Sequence, residues 1–197
     1  MVKAIIFDYF KVITLESELG IWRQYDLDKI YEKEIKDLIN QYDKGQSFDW
    51  LCQEISKANG VSARELEQAY YSQPELKLNS ELIDFIQKEL NDKYKIGLLS
   101  NIGSEPRQVN VVDSLTFFDD KVLSFEVSLV KPDPEIYRLA AKRLGVRPEE
   151  CVFVDDKTIN VEAAESVGMK GIVYNDHADF MAELNKYIVG GNKNQTR

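Results

Sequence analysis

Five short apolar runs, at residues 4–7, 94–99, 121–125, 151–154 and 171–174, are separated by stretches with helical spacing. That alternation constrains the fold more than any other feature of the chain. Strands that alternate with helices pair in parallel through right-handed crossovers, which predicts an α/β domain with a parallel sheet. The first run, Ala-Ile-Ile-Phe, has no polar residue at alternate positions. It reads as a strand covered on both faces. In such a sheet all strand carboxyl ends lie at one edge, and ligands bind there. The residues that follow the runs are polar: Asp8, Ser100-Asn101 and Asp155-Asp156. Lys131 lies on a loop before a helix, and the same edge collects it.

The helices between are well punctuated. Asp133 is expected at an N-cap, Pro134 at the first helical position and Gly145 just past the end, with Ile136, Leu139, Ala140 and Leu144 facing the core. Leu82, Ile83, Ile86 and Leu90 mark an earlier amphipathic helix. A helical segment is expected over 105–115 and another over 158–167, stopped by Gly168. Phe180, Met181, Leu184 and Ile188 mark the last one. Residues 15–72 break the rhythm and contain no convincing strand. Leu19, Trp22, Ile30, Ile35, Leu38 and Ile39 have helical spacing, as do Phe48, Leu51, Cys52 and Ile55 up to the Asn59-Gly60 stop. Ser62 and Glu65 form a capping-box pattern that opens a third helix.

At 197 residues the chain fits one domain, or a core with a small insertion. Its net charge of −9 lacks the basic footprint of a general nucleic-acid or anionic-membrane binder. No apolar stretch reaches membrane-spanning length. Cys52 and Cys151 have neither metal-ligand nor disulfide spacing, which fits buried thiols in a reducing cytosol. His177 is the one histidine and sits in an Asn-Asp-His loop, the setting of a turn or cap residue rather than a base.

Clustered carboxylates repel unless a cation intervenes. Oxygen donors without histidine or thiolate suit Mg²⁺, so Asp8, Asp155 and Asp156 read as a Mg²⁺ site. Lys131 supplies a point charge for phosphate, and Ser100 a hydroxyl. Asp8 beside a metal can attack phosphorus to form an aspartyl-phosphate.

Four blocks carry a resemblance: Ile-Ile-Phe-Asp8; Gly-Leu-Leu-Ser100-Asn101; Val-Lys131-Pro-Asp-Pro-Glu-Ile-Tyr; and Val-Phe-Val-Asp155-Asp156 followed by Asn160-Val-Glu-Ala-Ala. In this order and spacing they resemble the haloacid dehalogenase superfamily, most of whose members are Mg²⁺-dependent phosphatases. The resemblance implies a Rossmann-like parallel-sheet core flanked by helices, made of residues 1–14 and 75–190. It implies an inserted small α-helical cap over 15–74, and residues 191–197 are left as a flexible tail. It implies Asp8 as nucleophile and metal ligand, Lys131 as charge stabiliser, and Ser100 and Asn101 as phosphate contacts. Asp156 is expected as a direct metal ligand, with Asp155 direct or through water, and the backbone carbonyl of Phe10 completes the set. The substrate implied is a small phosphorylated metabolite.

The chain departs from the family at one point. Its phosphatases usually carry a second aspartate two residues after the nucleophile, followed by glycine. That aspartate protonates the leaving oxygen. Here the positions hold Phe10 and Lys11. Phenylalanine transfers no proton, and general acid–base catalysis is worth about 10²–10⁴-fold. Three readings follow: a slow or leaving-group-restricted phosphatase or phosphotransferase, with Lys11 or a cap residue as acid; a phospho-ligand or partner-binding protein on a decayed site; and a 2-haloacid dehalogenase, whose branch has an aromatic at this position.

Overall fold

The computed structural model describes residues 1–16 and 32–188. The expected positions Leu19, Trp22 and Ile30, and the tail over 191–197, lie outside these residues. At the centre is a five-stranded, wholly parallel sheet. Its strands are β1 (Ala4–Phe7), β2 (Lys95–Ser100), β3 (Asp120–Leu123), β4 (Cys151–Asp155) and β5 (Lys170–Val173), in the order β3-β2-β1-β4-β5. The chain runs outward from β1 to β3 and then returns past β1 to lay down β4. The order therefore reverses between β1 and β4, and the crevice beyond their carboxyl ends is where such sheets bind ligands.

The strands are mostly apolar at their centres, yet they sort their side chains with the two-residue period of a pleat. Ile5, Phe7, Ile96, Leu98, Val152 and Val154 pack into one layer with Leu82, Ile86, Phe180 and Leu184. Ala4, Ile6, Leu99, Cys151 and Phe153 pack into the other with Ile136, Tyr137, Ala140 and Ala164. Carried one residue past each strand core, the parity puts Asp8 and Asp155 on the second face together.

The first layer is covered by helices at Ser80–Phe85, continued by a wider turn at Ile86–Leu90, and His177–Ile188. The second is covered by Pro134–Arg143 and Thr158–Ser166. Asp133 caps the first of these by accepting from the Glu135 amide, and Pro134 opens it. Three further helices, α1 (Glu32–Asp43), α2 (Phe48–Asn59) and α3 (Ala63–Tyr71), have a core of their own. It is built from Ile35, Tyr42, Phe48, Leu51, Cys52, Ile55, Leu66 and Tyr70. Ser47 and Ser62 cap α2 and α3, and Gly60 ends α2 with φ +77°. The stretch holding these helices leaves and re-enters the sheet region side by side: Thr14 bridges Leu78, and the Leu15 amide donates to the Lys77 carbonyl at 2.8 Å.

Segments beyond β2 and β3, among them the helix Pro106–Ser114, hold this helical cluster over the carboxyl edge. Arg107 donates to the carbonyls of Tyr70 and Gln73, and the Tyr71 hydroxyl bonds Glu105. Ser128 donates to the Lys44 carbonyl at 3.1 Å. Gly103 lies flat against the Tyr42 ring, where a Cβ would fall 1.9 Å from Cζ.

Two expectations need correction. The third strand stops at Leu123, and Phe125 lies in a short helical turn, Ser124–Val127. The Ser124 hydroxyl takes both the amide and the carbonyl of Ile102, replacing the backbone ladder at that point. The last helix opens at His177, where Asp176 accepts the Asp179 amide at 2.8 Å and caps it. His177 is therefore a helix residue, with its ring between Phe85 and Phe180.

Candidate active site

Asp8 follows β1 in extended geometry, with φ −68° and ψ 160°. Its amide still donates to the Val154 carbonyl at 2.8 Å, so the sheet fixes its backbone. Oδ1 accepts from the Tyr9 amide at 2.7 Å and from Lys131 Nζ at 2.6 Å. Oδ2 has no hydrogen-bond partner among the described residues. The carboxylate is thus pinned by one oxygen, with the other left to react or to bind.

Lys131 reaches the same face from the loop before Pro134–Arg143, the helix that covers it. Its Nζ also donates to Asp155 Oδ2 at 2.7 Å and lies 5.5 Å from the Phe153 ring centre. The ammonium therefore bridges two carboxylates in a dry site, its side chain 2% exposed. Burial alone would lower its pKa. The charges of Asp8 and Asp155, with their hydrogen bonds, outweigh that and raise it. For Asp8, burial wins. Desolvation pushes its pKa up to about 6 against the pull of Lys131, and the Asp155 charge adds to the rise.

Asp155 is saturated. Asn160 Nδ2 spans both its oxygens at 3.0 Å, the Lys157 amide donates to Oδ1 at 2.9 Å, and Lys131 takes Oδ2. Asp156 is half-buried and makes one looser ion pair, with Lys11 Nζ at 3.5 Å. Oxygens of Asp8, Asp155 and Asp156 lie within 4.8 Å of one another. An octahedral Mg²⁺ with oxygens about 2.1 Å away needs a set of about this span. The all-oxygen donor set fits that ion, with Asp156 the more open of the acidic pair.

The remaining expected residues separate. Ser100 ends β2 fully buried, and its Oγ has no hydrogen-bond partner among the described residues, which leaves the hydroxyl available to a water or a ligand. Asn101 faces Lys131 rather than open space: Oδ1 accepts the Lys131 amide at 2.8 Å and Nδ2 donates to its carbonyl at 3.0 Å. Its side chain sets where the lysine enters. The Phe10 ring stacks edge-on against Tyr9 at 5.0 Å and packs on the first core layer. Lys11 takes the left-handed conformation, φ +59°, that glycine would adopt without strain. Such a conformation costs a side-chain-bearing residue roughly 1–2 kcal/mol.

Asn160 belongs to the fourth sequence block, where spacing alone assigns it no role. Its position one turn into the helix that follows the Asp155 strand is the signal that it clamps that carboxylate. Asp43 carries no such signal. Tertiary docking brings it into the fields of Lys157 and Lys131.

The family model for haloacid dehalogenase-like hydrolases matches residues 2–168. YhcW of Bacillus subtilis, named as a phosphatase, is 29% identical over 88% of this chain and 83% of its own. The glyceraldehyde 3-phosphate phosphatase of Methanopyrus kandleri is 26% identical over 86% and 82%. Other relatives match locally: rat bifunctional epoxide hydrolase 2 is 38% identical over 35% of this chain and only 12% of that protein. A HAD family enzyme of Bacteroides thetaiotaomicron, solved with magnesium and inorganic phosphate, superposes with a TM-score of 0.69. It is 24% identical over 89% of this chain and 95% of that one. With the family model spanning most of its length, this chain belongs to the haloacid dehalogenase-like hydrolases.

Proposed function

We propose that the chain is a Mg²⁺-dependent phosphatase or phosphotransferase for a small phosphorylated metabolite, working through an aspartyl-phosphate on Asp8. The observation that carries this reading is the asymmetry of Asp8, whose Oδ1 is held by Lys131 and the Tyr9 amide while Oδ2 is open. Oδ2 attacks phosphorus, and the ester oxygen leaves on the opposite side. Lys131 lies beside the attacking carboxylate and offsets negative charge there. Ser100 Oγ gains the acceptor it lacks when a phosphoryl oxygen enters. Asp8, Asp156 and the Phe10 carbonyl would hold Mg²⁺, with Asp155 binding directly or through water, and the ion would supply positive charge for the transferring phosphoryl oxygens. Residues 15–74 act as a cap that selects the substrate, over a core of 1–14 and 75–190. Asn101 serves phosphate indirectly, by seating Lys131.

The test is phosphate release from a panel of phosphomonoesters with Mg²⁺, run beside Asp8→Asn. We expect release that needs the metal and disappears in the variant. No release from any member, including an activated aryl phosphate, would sink the reading. Phe10 favours the binding-only alternative. A melting-temperature rise with Mg²⁺ and inorganic phosphate, without turnover, would support it.

A further inference from the structure

With phenylalanine at position 10, the departing alkoxide lacks the aspartate donor that the family's phosphatases carry on the β1 loop. We propose that Asp43, at the end of α1, is the acid that protonates the leaving oxygen and the base that later activates water. The inference rests on the phosphatase reading above.

Its neighbours fix where Asp43 stands. Tyr42 lies on Gly103 in the loop beyond β2, the Lys44 carbonyl accepts from Ser128, and Gly45 abuts the Phe125 carbonyl. Both anchoring segments follow strand carboxyl ends, so the residue between these contacts is held over the catalytic edge. Among the described residues, the charges of Lys157 and Lys131 act on its carboxyl. Lys131 touches Asp8, and the Lys157 amide touches Asp155. In-line displacement sends the leaving group away from Asp8, toward the side that α1 to α3 cover.

Among the described residues, several other donors are committed elsewhere. Lys11 pairs with Asp156, Lys131 is enclosed between two carboxylates, and His177 packs between Phe85 and Phe180. The Tyr137 hydroxyl is held far too weakly acidic by burial and the nearby Asp155 and Asp8 charges. Burial pushes the Asp43 carboxyl up to about 7, although both lysines pull it down. A group that titrates there is suited to give and take a proton at neutral pH.

The step balances. An Asp8 Oδ2–P bond forms as the ester P–O bond breaks, and its electron pair takes the Asp43 proton to give the alcohol. Water then attacks phosphorus, gives its proton to the Asp43 carboxylate, and frees inorganic phosphate and Asp8.

Wild type, Asp43→Asn and Asp43→Glu are compared on an alkyl phosphate that wild type hydrolyses and on 4-nitrophenyl phosphate, whose leaving group needs no proton. Folding is checked by circular dichroism. We expect Asp43→Asn to lose about 10²–10³-fold in kcat on the alkyl ester and less than tenfold on the aryl ester. Asp43→Glu should recover part of the loss. The fall in wild-type alkyl-ester kcat above about pH 7 should vanish in Asp43→Asn. Equal losses on both substrates, or none, with active wild type would overturn the Asp43 role alone. Inactive wild type on every ester would overturn it together with the phosphatase reading.

Discussion

Replacing Lys131 by methionine keeps the length and bulk of the side chain and removes one charge. The side chains concerned are nearly dry, with Lys131 2% exposed, Asp8 7% and Asp155 0%. At an effective dielectric near 20, each of the two contacts amounts to roughly 6 kcal/mol of bare attraction. Relief from burying the ammonium offsets most of that sum. Breaking one side of a buried pair costs about 3–5 kcal/mol in practice, because a carboxylate is left uncompensated. Asp155 keeps Asn160 and the Lys157 amide, so the burden falls on Asp8. Asp8 can escape by taking up a proton, since its pKa already stands near 6 and rises when Lys131 goes. The loss in Lys131→Met should therefore be near its full value at pH 8 and clearly smaller at pH 5. In a chain of this size it corresponds to roughly 10 °C in Tm at pH 8. Thermal melts in chelator at both pH values measure it. A shift under about 2 °C at pH 8, or equal shifts at both, would refute the view that the ammonium sustains two buried carboxylates.

The Asp8 carboxyl also gives a pH signature. Its folded pKa is above its ordinary value, so the folded state binds more protons and metal-free stability falls as pH rises from about 4 to about 6. Asp8→Asn should gain on wild type across that window by up to about 3 kcal/mol and then level off. Denaturant titrations at several pH values decide it, and a flat difference contradicts it. Lys11→Gly relieves the left-handed backbone and frees Asp156, so calorimetry should show Mg²⁺ bound about two- to fivefold tighter, with Tm little changed. Unchanged or weaker binding would argue that Lys11 does not compete with the ion. Gly103→Ala drives a methyl into the Tyr42 ring and should cost about 1–3 kcal/mol. Limited proteolysis should then cut within 15–78 well before the sheet core. Cleavage no faster than in wild type would show that the contact is not what seats the helices.

The parts of the site that could be read from the sequence are those that a parallel sheet aligns automatically. Asp8 and Asp155 fall on one face by the two-residue period, and Lys131 precedes the helix that covers that face. Asn160 and Asn101 were harder. Whether an amide faces a phosphate or a neighbouring backbone depends on local rotation that spacing does not encode. Asp43 was not legible. At a helix end it looks like any solvated carboxylate, and the contacts of its neighbours with Gly103, Ser128 and Phe125 place it. The run at 121–125 overstates the third strand, because a single hydroxyl, on Ser124, ends the ladder at Leu123.

The bridge between Thr14 and Leu78 has a consequence for how such a chain can diversify. Because both ends of the helical stretch meet at one point on the sheet, the sheet experiences whatever lies between them as a single closed loop. The entropy of closing a loop grows only slowly with its length, by about 0.6 kcal/mol per doubling. Helices can therefore be lengthened, shortened or exchanged there at small cost to the rest of the protein. The chemistry in the sheet can stay fixed while the surface that meets the substrate is rebuilt.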